Sequence, residues 1–290
     1  MPNYNKDWIF QLINNSLILI LSVTMLAPLI HLLAVSLSNP LYASAKLVYF
    51  WPKGFQTDVY ETILGMKLLW RSMGNTIYIT VVGTALTLFI GTMLSFALSR
   101  PAMKGRKLIL KAIVLTFIFS APLIPSYLTV RELGLMNTLW ALIIPGALSA
   151  FYIIIFKTFF QGISSELFDA CKMDGCSEWR IYYRIILPLS KPVLATIGMF
   201  HAVGQWNSYF GAMLYIRDLG KQPLMLVLRS LVVEDDMNKL VNISKAVQMA
   251  TTPTQLKAGI ILFSILPILC VYPFLQKHFV KGAQLGSLKE

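Results

Sequence analysis

Charged side chains are scarce in this chain of 290 residues. Asp, Glu, Lys and Arg together make up 13% of the sequence, whereas hydrophobic residues make up 56%, and the mean hydropathy is +0.66. A soluble domain carries about a quarter charged residues. The composition therefore excludes an ordinary soluble domain and predicts a membrane protein.

The motifs of an enzyme or of an ion-coupled carrier are also missing. The sequence has no G-x-x-x-x-G-K-[ST] phosphate loop, no H-E-x-x-H zinc motif and no nucleophile–base pattern. No acidic or basic residue lies deep inside an apolar run, where a proton-coupled carrier usually places one. We therefore expect a chain without catalytic, metal or cofactor sites. If it is a transporter, a partner must supply the energy.

Cysteine is also rare, with only Cys171, Cys176 and Cys270. Two cysteines five positions apart, with no further Cys and His at suitable spacing, give a poor zinc signal. A disulfide is not expected in a reducing compartment. We interpret these cysteines as small residues that pack on helices.

Long apolar runs dominate what is present. Six stretches without a charged residue are about 19 to 28 residues long: Trp8–Val35, Asn75–Ser99, Ala112–Val130, Leu133–Phe156, Pro192–Ile216 and Ala258–Gln276. A helix that crosses about 30 Å of hydrocarbon needs about 20 apolar residues. The sequence thus predicts an all-α membrane protein, residues 1–290, with six transmembrane helices. The first run is too long for the core of a signal peptide, so we expect it to be a retained helix.

The short loop 99–111 predicts the orientation. It holds five basic residues and no acidic one, and the positive-inside rule places such a loop in the cytoplasm. With six spans, both termini and the segment 161–192 lie on the same side. The long segments 36–74 and 217–257 are then external.

The net charge of +12 does not indicate nucleic-acid binding, because the charges are spread over short loops on both faces. Together with the short external segment 131–132, the segments 36–74 and 217–257 hold 11 basic residues against the acids Asp58, Glu61, Glu132, Asp218, Glu234, Asp235 and Asp236, a net of +4. A positive vestibule attracts anions, which favours an acidic solute. Anchoring to phospholipid headgroups explains the same charges and fits a neutral solute equally well.

A polar island, Glu166–Pro192, interrupts the apolar pattern. Apolar residues at helical spacing surround Ala170, Asp174-Gly175 then provides a break, and a second amphipathic piece ends at Pro188 and Pro192. A simple connection between two membrane helices does not need this much structure. We interpret the island as a docking element for a partner on the cytoplasmic side.

The fifth predicted span contains unusual polar residues, among them Gln205, Trp206, Asn207 and Tyr209. Polar side chains at membrane depth usually face a bundle interior or a water-filled path. Trp beside Asn suits a sugar, with an apolar face for the ring and an amide for the hydroxyls. These four residues are our candidates for the substrate path, and hydrogen bonds between helices are the alternative.

The island resembles a known motif. Asp169-Ala170-Cys171, Asp174-Gly175 and Leu187–Pro192 are similar in type and spacing to the EAA loop of ABC-importer permeases, with Asp for Glu at 169 and Cys for Ala at 171 and 176. Outside the loop, Asn75-Thr76, Leu98–Arg100 and Trp206-Asn207 resemble the carbohydrate-uptake, maltose-permease-like branch. Within that branch the chain is more similar to permeases for oligosaccharides of plant or algal polysaccharides, such as alginate.

This resemblance implies a type I ABC-importer permease in the cytoplasmic (inner) membrane of a bacterium. Its partners would be a second permease subunit, two cytosolic ATPase subunits that bind ATP and Mg, and an external solute-binding protein. The residues implied in coupling to the ATPases are Glu166, Asp169, Ala170, Cys171, Asp174, Gly175, Pro188 and Pro192. The expected solute is an acidic oligosaccharide; the alternatives are a neutral oligosaccharide, a secondary transporter, and a scaffold or receptor subunit without transport.

Overall fold

A computed structural model describes residues 4–119, 121–232 and 251–287, and this part of the chain is helical without any strand. The helices are α1 (Tyr4–Ser36), α2 (Pro40–Ser44), α3 (Asp58–Gly65), α4 (Lys67–Ser99), α5 (Arg106–Ile118), α6 (Leu123–Glu132), α7 (Trp140–Ile143), α8 (Ala150–Gln161), α9 (Ser165–Met173), α10 (Glu178–Ile181), α11 (Leu187–Leu189), α12 (Lys191–Asn207), α13 (Phe210–Tyr215), α14 (Leu224–Val232) and α15 (Pro253–Ser287). The chain divides after Trp70, Val227 and Leu266 into two compact units.

Three helices are long and apolar enough to cross a membrane. They are α1 over Phe10–Ser36, α4, and α15 over Pro253–Val271. Counting two bent helix pairs as single spans raises the number to five among the described residues. The all-helical membrane fold is therefore confirmed, whereas six spans and cytoplasmic termini stay predictions.

The third predicted span, Ala112–Val130, is not one continuous helix. Helix α5 ends at Ile118 and α6 begins at Leu123. Pro122 has extended backbone angles, φ −60° and ψ 156°. Proline has no N–H for a helical bond and pushes the preceding residue out of the α conformation, so the chain leaves the helix here.

The fourth and fifth predicted spans are interrupted as well. Residues 133–149 contain a turn and the four-residue helix α7 before α8 begins at Ala150. Helix α12 ends at Asn207, and Ser208 is extended with φ −74° and ψ 125°. Polar residues such as Asn and Ser bond to nearby backbone groups and so favour helix ends over helix interiors.

The predicted external segment 36–74 has structure of its own. The Asn39 side chain accepts a hydrogen bond from the Leu41 N–H and caps α2, and the Asn39 N–H donates to the Lys53 carbonyl at 2.8 Å. The Gln255 amide donates to the Ser38 carbonyl, which joins the start of α15 to this segment. The acidic cluster Glu234-Asp235-Asp236 of the second external segment lies outside the described residues.

Helices α3 and α15 approach closely because a glycine faces the contact. A Cβ atom at Gly259 would lie 2.6 Å from Ile63 Cδ1 and 2.8 Å from Val59 Cγ1. Both partners are buried, with 1% and 2% of their surface exposed, so neither can swing into solvent.

We therefore expect Gly259→Ala to destabilise the protein by about 1–3 kcal/mol through overpacking. Gly74→Ala is the matched control, because a Cβ there meets nothing within 4 Å and alanine favours a helix interior by roughly 0.5–1 kcal/mol. Thermal unfolding of the detergent-solubilised protein measures both. Equal stability of the two variants would contradict the close packing.

Candidate functional site

The first helix of the polar island, α9, begins at Ser165, one residue before Glu166. The Ser164 hydroxyl accepts a hydrogen bond from the Glu166 N–H at 3.3 Å. Glu166 lies in the first turn, where the helix dipole favours a negative charge. Ser164 thus serves as the N-cap.

The end of α9 is fixed by Gly175, which has a φ of +72°. The Gly175 N–H donates to the Lys172 carbonyl at 3.0 Å, and the Cys176 N–H donates to the Cys171 carbonyl at 2.9 Å. These two bonds form a Schellman motif, which needs a left-handed residue at Gly175. Asp174-Gly175 therefore breaks the helix as predicted.

The two cysteines of the island have a packing role in this motif. Cys171 and Cys176 are free and half-buried, and both pack on the same apolar cluster. A Schellman motif commonly brings an apolar contact between these two positions. Their spacing therefore follows from the geometry of the helix end.

The second piece of the island contains a π-helical turn. Ser177 caps α10 by accepting from the Arg180 N–H at 3.4 Å, and the Leu187 N–H then donates to the Tyr182 carbonyl, five residues back. Pro188 has no N–H and its ring would clash with the carbonyl four residues before it in a regular α-helix. A widened turn accommodates this ring, and π-turns are frequent at functional sites.

The island rests on an apolar cluster that extends into α4 and α8. Its buried members are Phe96, Phe156, Phe160, Phe168, Ile181, Tyr182, Ile186, Val193 and Ile197. The Tyr182 hydroxyl is 2.7 Å from the Thr92 hydroxyl in α4. The loop is thus anchored on one face by packing and by a buried hydrogen bond.

The opposite face of α9 is exposed in the part of the chain that the structure describes. Among the residues predicted for coupling, Glu166, Asp169, Ala170, Asp174 and Gly175 are exposed. Two apolar neighbours are exposed as well: Met173 to 88% and Leu167 to 45%. A helix face that combines acidic and large apolar side chains and is anchored from behind is suited to bind a groove of another protein.

Arg100 joins α9 to the end of α4. Its guanidinium carbon lies 3.5 Å from the ring centroid of Phe168 and 4.9 Å from that of Phe96. Arg100 Nη2 is 3.8 Å from a carboxylate oxygen of Glu178, which also pairs with Lys172 at 3.2 Å. At 3.8 Å the contact with Glu178 is electrostatic and not a hydrogen bond.

Burial lowers the pKa of Arg100, and the charges of Glu178 and Asp169 oppose this shift. Arginine stays protonated in proteins, so a full positive charge lies between two aromatic rings. A partly buried cation over an aromatic face contributes about 1–2 kcal/mol. From the sequence, Arg100 contributes to the topology signal of the loop 99–111 and to the resemblance through Leu98–Arg100, whereas its contact with Phe168 is visible only in the structure.

The four candidate path residues lie in different environments. Gln205 donates to the Leu142 carbonyl at 2.8 Å, and the Asn207 amide donates to the Val203 carbonyl at 2.9 Å within its own helix. Trp206 is 7% exposed, and its indole N–H has no hydrogen-bond partner among the described residues. Asn207 and Tyr209 are exposed. The structure thus favours interhelical bonding for Gln205 and leaves Asn207 and Tyr209 accessible.

A second polar contact between helices involves His201, another polar residue of the fifth predicted span. Its ring nitrogens lie 3.0 Å from the Thr84 hydroxyl and 3.1 Å from the Thr87 hydroxyl. Thr84 and Thr87 are three residues apart on α4 and therefore lie on the same face of the helix. This contact joins α4 to α12, the helix that follows the polar island in the chain.

Comparison with known proteins identifies the family. Residues 83–284 match the family described as binding-protein-dependent transport system inner membrane component. The chain belongs to this family of membrane permeases. The match includes the whole polar island and α12, so the anchored helix α9 lies inside the family's defining region.

Two relatives come from Bacillus subtilis (strain 168). The chain is 43% identical to protein LplC over 263 residues, which cover 90% of this chain and 88% of LplC. It is 36% identical to the polygalacturonan/rhamnogalacturonan transport system permease protein YtcP over 289 residues, 98% and 99% of the two chains.

A solved structure agrees with the fold. A chain of a bacterial ABC transporter involved in the import of the acidic polysaccharide alginate superposes with a TM-score of 0.85 at 32% identity. The superposition covers 94% of this chain and 98% of that chain. The type I ABC-permease fold predicted from the resemblance is therefore confirmed. Together with the family match, it favours a permease subunit over the secondary transporter and the scaffold.

Arg100→Gln should loosen α9 because it removes the cation from between the two rings. A loss of about 1–2 kcal/mol corresponds to roughly 5- to 30-fold faster amide exchange. Hydrogen–deuterium exchange of residues 164–176 measures this directly. Glu178→Gln is the control, since a largely exposed ion pair contributes only about 0.2–1 kcal/mol. A larger effect of Glu178→Gln than of Arg100→Gln would show that the ion pair holds the helix.

Proposed function

We propose that this protein is a membrane-spanning subunit of a binding-protein-dependent ABC importer for oligosaccharides, with an acidic solute as the substrate. The observation that carries the proposal is α9: its buried side is fixed to α4 by Arg100 and Phe168, and its other side presents Glu166, Asp169 and Ala170 to a partner. The chain acts as a transport subunit, and ATP hydrolysis belongs to partner ATPases.

In the proposed cycle, α9 binds in a groove of a cytosolic ATPase subunit. Closure of the ATPase pair moves α9, and because the island packs on α4 and α8, the movement reaches the membrane helices as a rigid displacement. ATP binding then favours one of two conformations of the permease. A second permease subunit and an external solute-binding protein complete the proposed assembly in the bacterial inner membrane.

Three observations support an oligosaccharide with carboxylate groups. YtcP is named for polygalacturonan and rhamnogalacturonan, and the solved structure of similar fold belongs to a transporter of the acidic polysaccharide alginate. The segments predicted to be external carry a net charge of +4. A neutral oligosaccharide is the competing proposal, because charges at the membrane surface also bind anionic lipid.

The substrate is tested in liposomes that contain the assembled transporter. We expect ATP-dependent uptake of trigalacturonate and little uptake of its methyl ester, which has the same rings without the negative charges. Uptake of the ester at the same rate or faster would exclude an acidic substrate and leave the permease assignment intact.

Ala170→Trp should abolish uptake and uncouple ATP hydrolysis without unfolding the permease. Ala170 is exposed in this chain, so the added ring meets solvent in the isolated subunit and blocks close packing only against a partner. Ala102→Trp, at an exposed position of the loop 99–111, is the matched control. Co-purification with the ATPase and sugar uptake are the two measurements.

Gly175→Pro tests the same surface through the backbone. Proline requires a φ near −65°, whereas Gly175 has +72° and donates its N–H to Lys172. The variant should change the angle at which α9 leaves the membrane region and stop uptake while the protein still inserts. Normal uptake by both Ala170→Trp and Gly175→Pro would rule out docking through α9.

A further inference from the structure

A cavity of about 630 Å³ lies between α6, the turn that follows it and the end of α13. Its lining residues are Tyr127, Arg131, Met136, Asn137, Tyr215 and Arg217. We propose that this cavity binds a uronate unit of the transported oligosaccharide, with the two arginines on its carboxylate and the two tyrosines against its ring. The proposal rests on the proposed function and specifies where the acidic solute is recognised.

The α6 side of the cavity follows from helix periodicity. Tyr127 and Arg131 are four residues apart on α6 and so share one face of the helix. The helix ends in a second Schellman motif, in which the Gly134 N–H donates to the Arg131 carbonyl and the Leu135 N–H donates to the Val130 carbonyl. Gly134 has the required left-handed φ of +68°. The turn therefore leaves α6 in a fixed direction.

Asn137 connects the turn after α6 to the end of α13 by hydrogen bonds. It also has a left-handed conformation, with a φ of +59°, and its N–H donates to the Tyr215 carbonyl at 2.8 Å. Its side-chain oxygen accepts from the N–H groups of Arg217 at 3.1 Å and Asp218 at 3.0 Å. The Lys221 ammonium donates to its carbonyl at 3.0 Å. This network preorganises the backbone on both sides of the cavity, which lowers the cost of binding.

The aromatic part of the cavity suits a sugar ring. Tyr127 and Tyr215 stack with their ring centroids 6.2 Å apart and their planes 18° from parallel. Tyr215 is buried on Val130 and Ala141, and Tyr127 packs on the same cluster. Tyrosine offers an apolar ring face together with a hydroxyl that donates and accepts hydrogen bonds. Both properties match a hydroxylated ring.

The charged part of the cavity offers two guanidinium groups to an anion. Within the described residues, neither Arg131 nor Arg217 has an ion pair or a ring contact, and both are exposed. The nearby carboxylate of Asp218 accepts from the Gly220 N–H at 2.8 Å and lies 4.0 Å from the Lys221 ammonium, which offsets its negative charge. Guanidinium groups bind carboxylates in a planar, bidentate geometry.

A phospholipid headgroup is the other source of an anion at a membrane surface. Headgroup anchoring needs exposed basic residues only. It does not require a preorganised cavity of a size typical of small-molecule sites, with stacked tyrosines in its wall. Tyrosines that suit a sugar ring and arginines that suit a carboxylate line the same cavity, and this combination favours the uronate.

The test uses the assembled transporter in liposomes of zwitterionic lipid. Trigalacturonate is the probe and its methyl ester is the uncharged analogue, and binding to the ATPase-inhibited complex is measured beside uptake. We expect Arg131→Gln and Arg217→Gln each to weaken trigalacturonate binding at least about tenfold. Binding of the ester should not change. Lys53→Gln removes one charge from an exposed position of the external segment 36–74. It should leave the binding of trigalacturonate and of the ester unchanged.

The outcomes separate the two proposals. If the unmodified transporter does not bind trigalacturonate, the acidic substrate is wrong. If it binds trigalacturonate and both glutamine variants bind equally well, only the cavity assignment is overturned. An effect of the variants that is present in anionic liposomes and absent in zwitterionic ones would identify a headgroup site and also overturn it. Arg131→Lys and Arg217→Lys keep the charge without the bidentate geometry, so intermediate binding supports the assignment and unaltered binding counts against it.

Discussion

The contact between the Arg100 guanidinium and the Phe168 ring, 3.5 Å apart, is the interaction on which the proposed coupling depends. A helix of nine residues such as α9 is not stable by itself in water. It therefore needs tertiary contacts on one side if the other side is to transmit force. Arg100 supplies such a contact because arginine keeps its charge when partly buried and stacks on aromatic faces. Phe168 and the cluster beneath it provide the apolar remainder.

Rigid local structure also lies at two helix ends, one beside the docking face of α9 and one beside the cavity at α6. Gly175 ends α9 and Gly134 follows α6, each in a left-handed conformation that closes a Schellman motif. In both places the chain turns sharply while its backbone groups stay bonded. A rigid turn holds the surface beside it in position: the docking face in one case and the cavity in the other. These two surfaces are the parts of the molecule that meet other molecules in our proposals.

Broken helices are the main difference between the expected and the observed membrane region. The sequence predicts continuous spans over Ala112–Val130 and Pro192–Ile216, yet the chain leaves the helix near Pro122 and again at Ser208. Irregular backbone at membrane depth is tolerated only where it is buried in protein or lines a water-filled path. Asn207 and Tyr209 flank the second break and are exposed, which agrees with their proposed place beside the path of the solute.

Composition and local pattern by themselves determined the membrane class, the polar island and the break at Asp174-Gly175. These features depend on hydrophobicity and on backbone preferences, which act between residues close in the chain. The roles of Arg100, His201, Arg131 and Arg217 were decided only by the tertiary structure. Each depends on groups distant in sequence: a ring of α9 for Arg100, two threonines of α4 for His201, and a cavity whose two sides are bonded through Asn137 for Arg131 and Arg217. A residue pattern does not encode such distances, because they arise when helices pack.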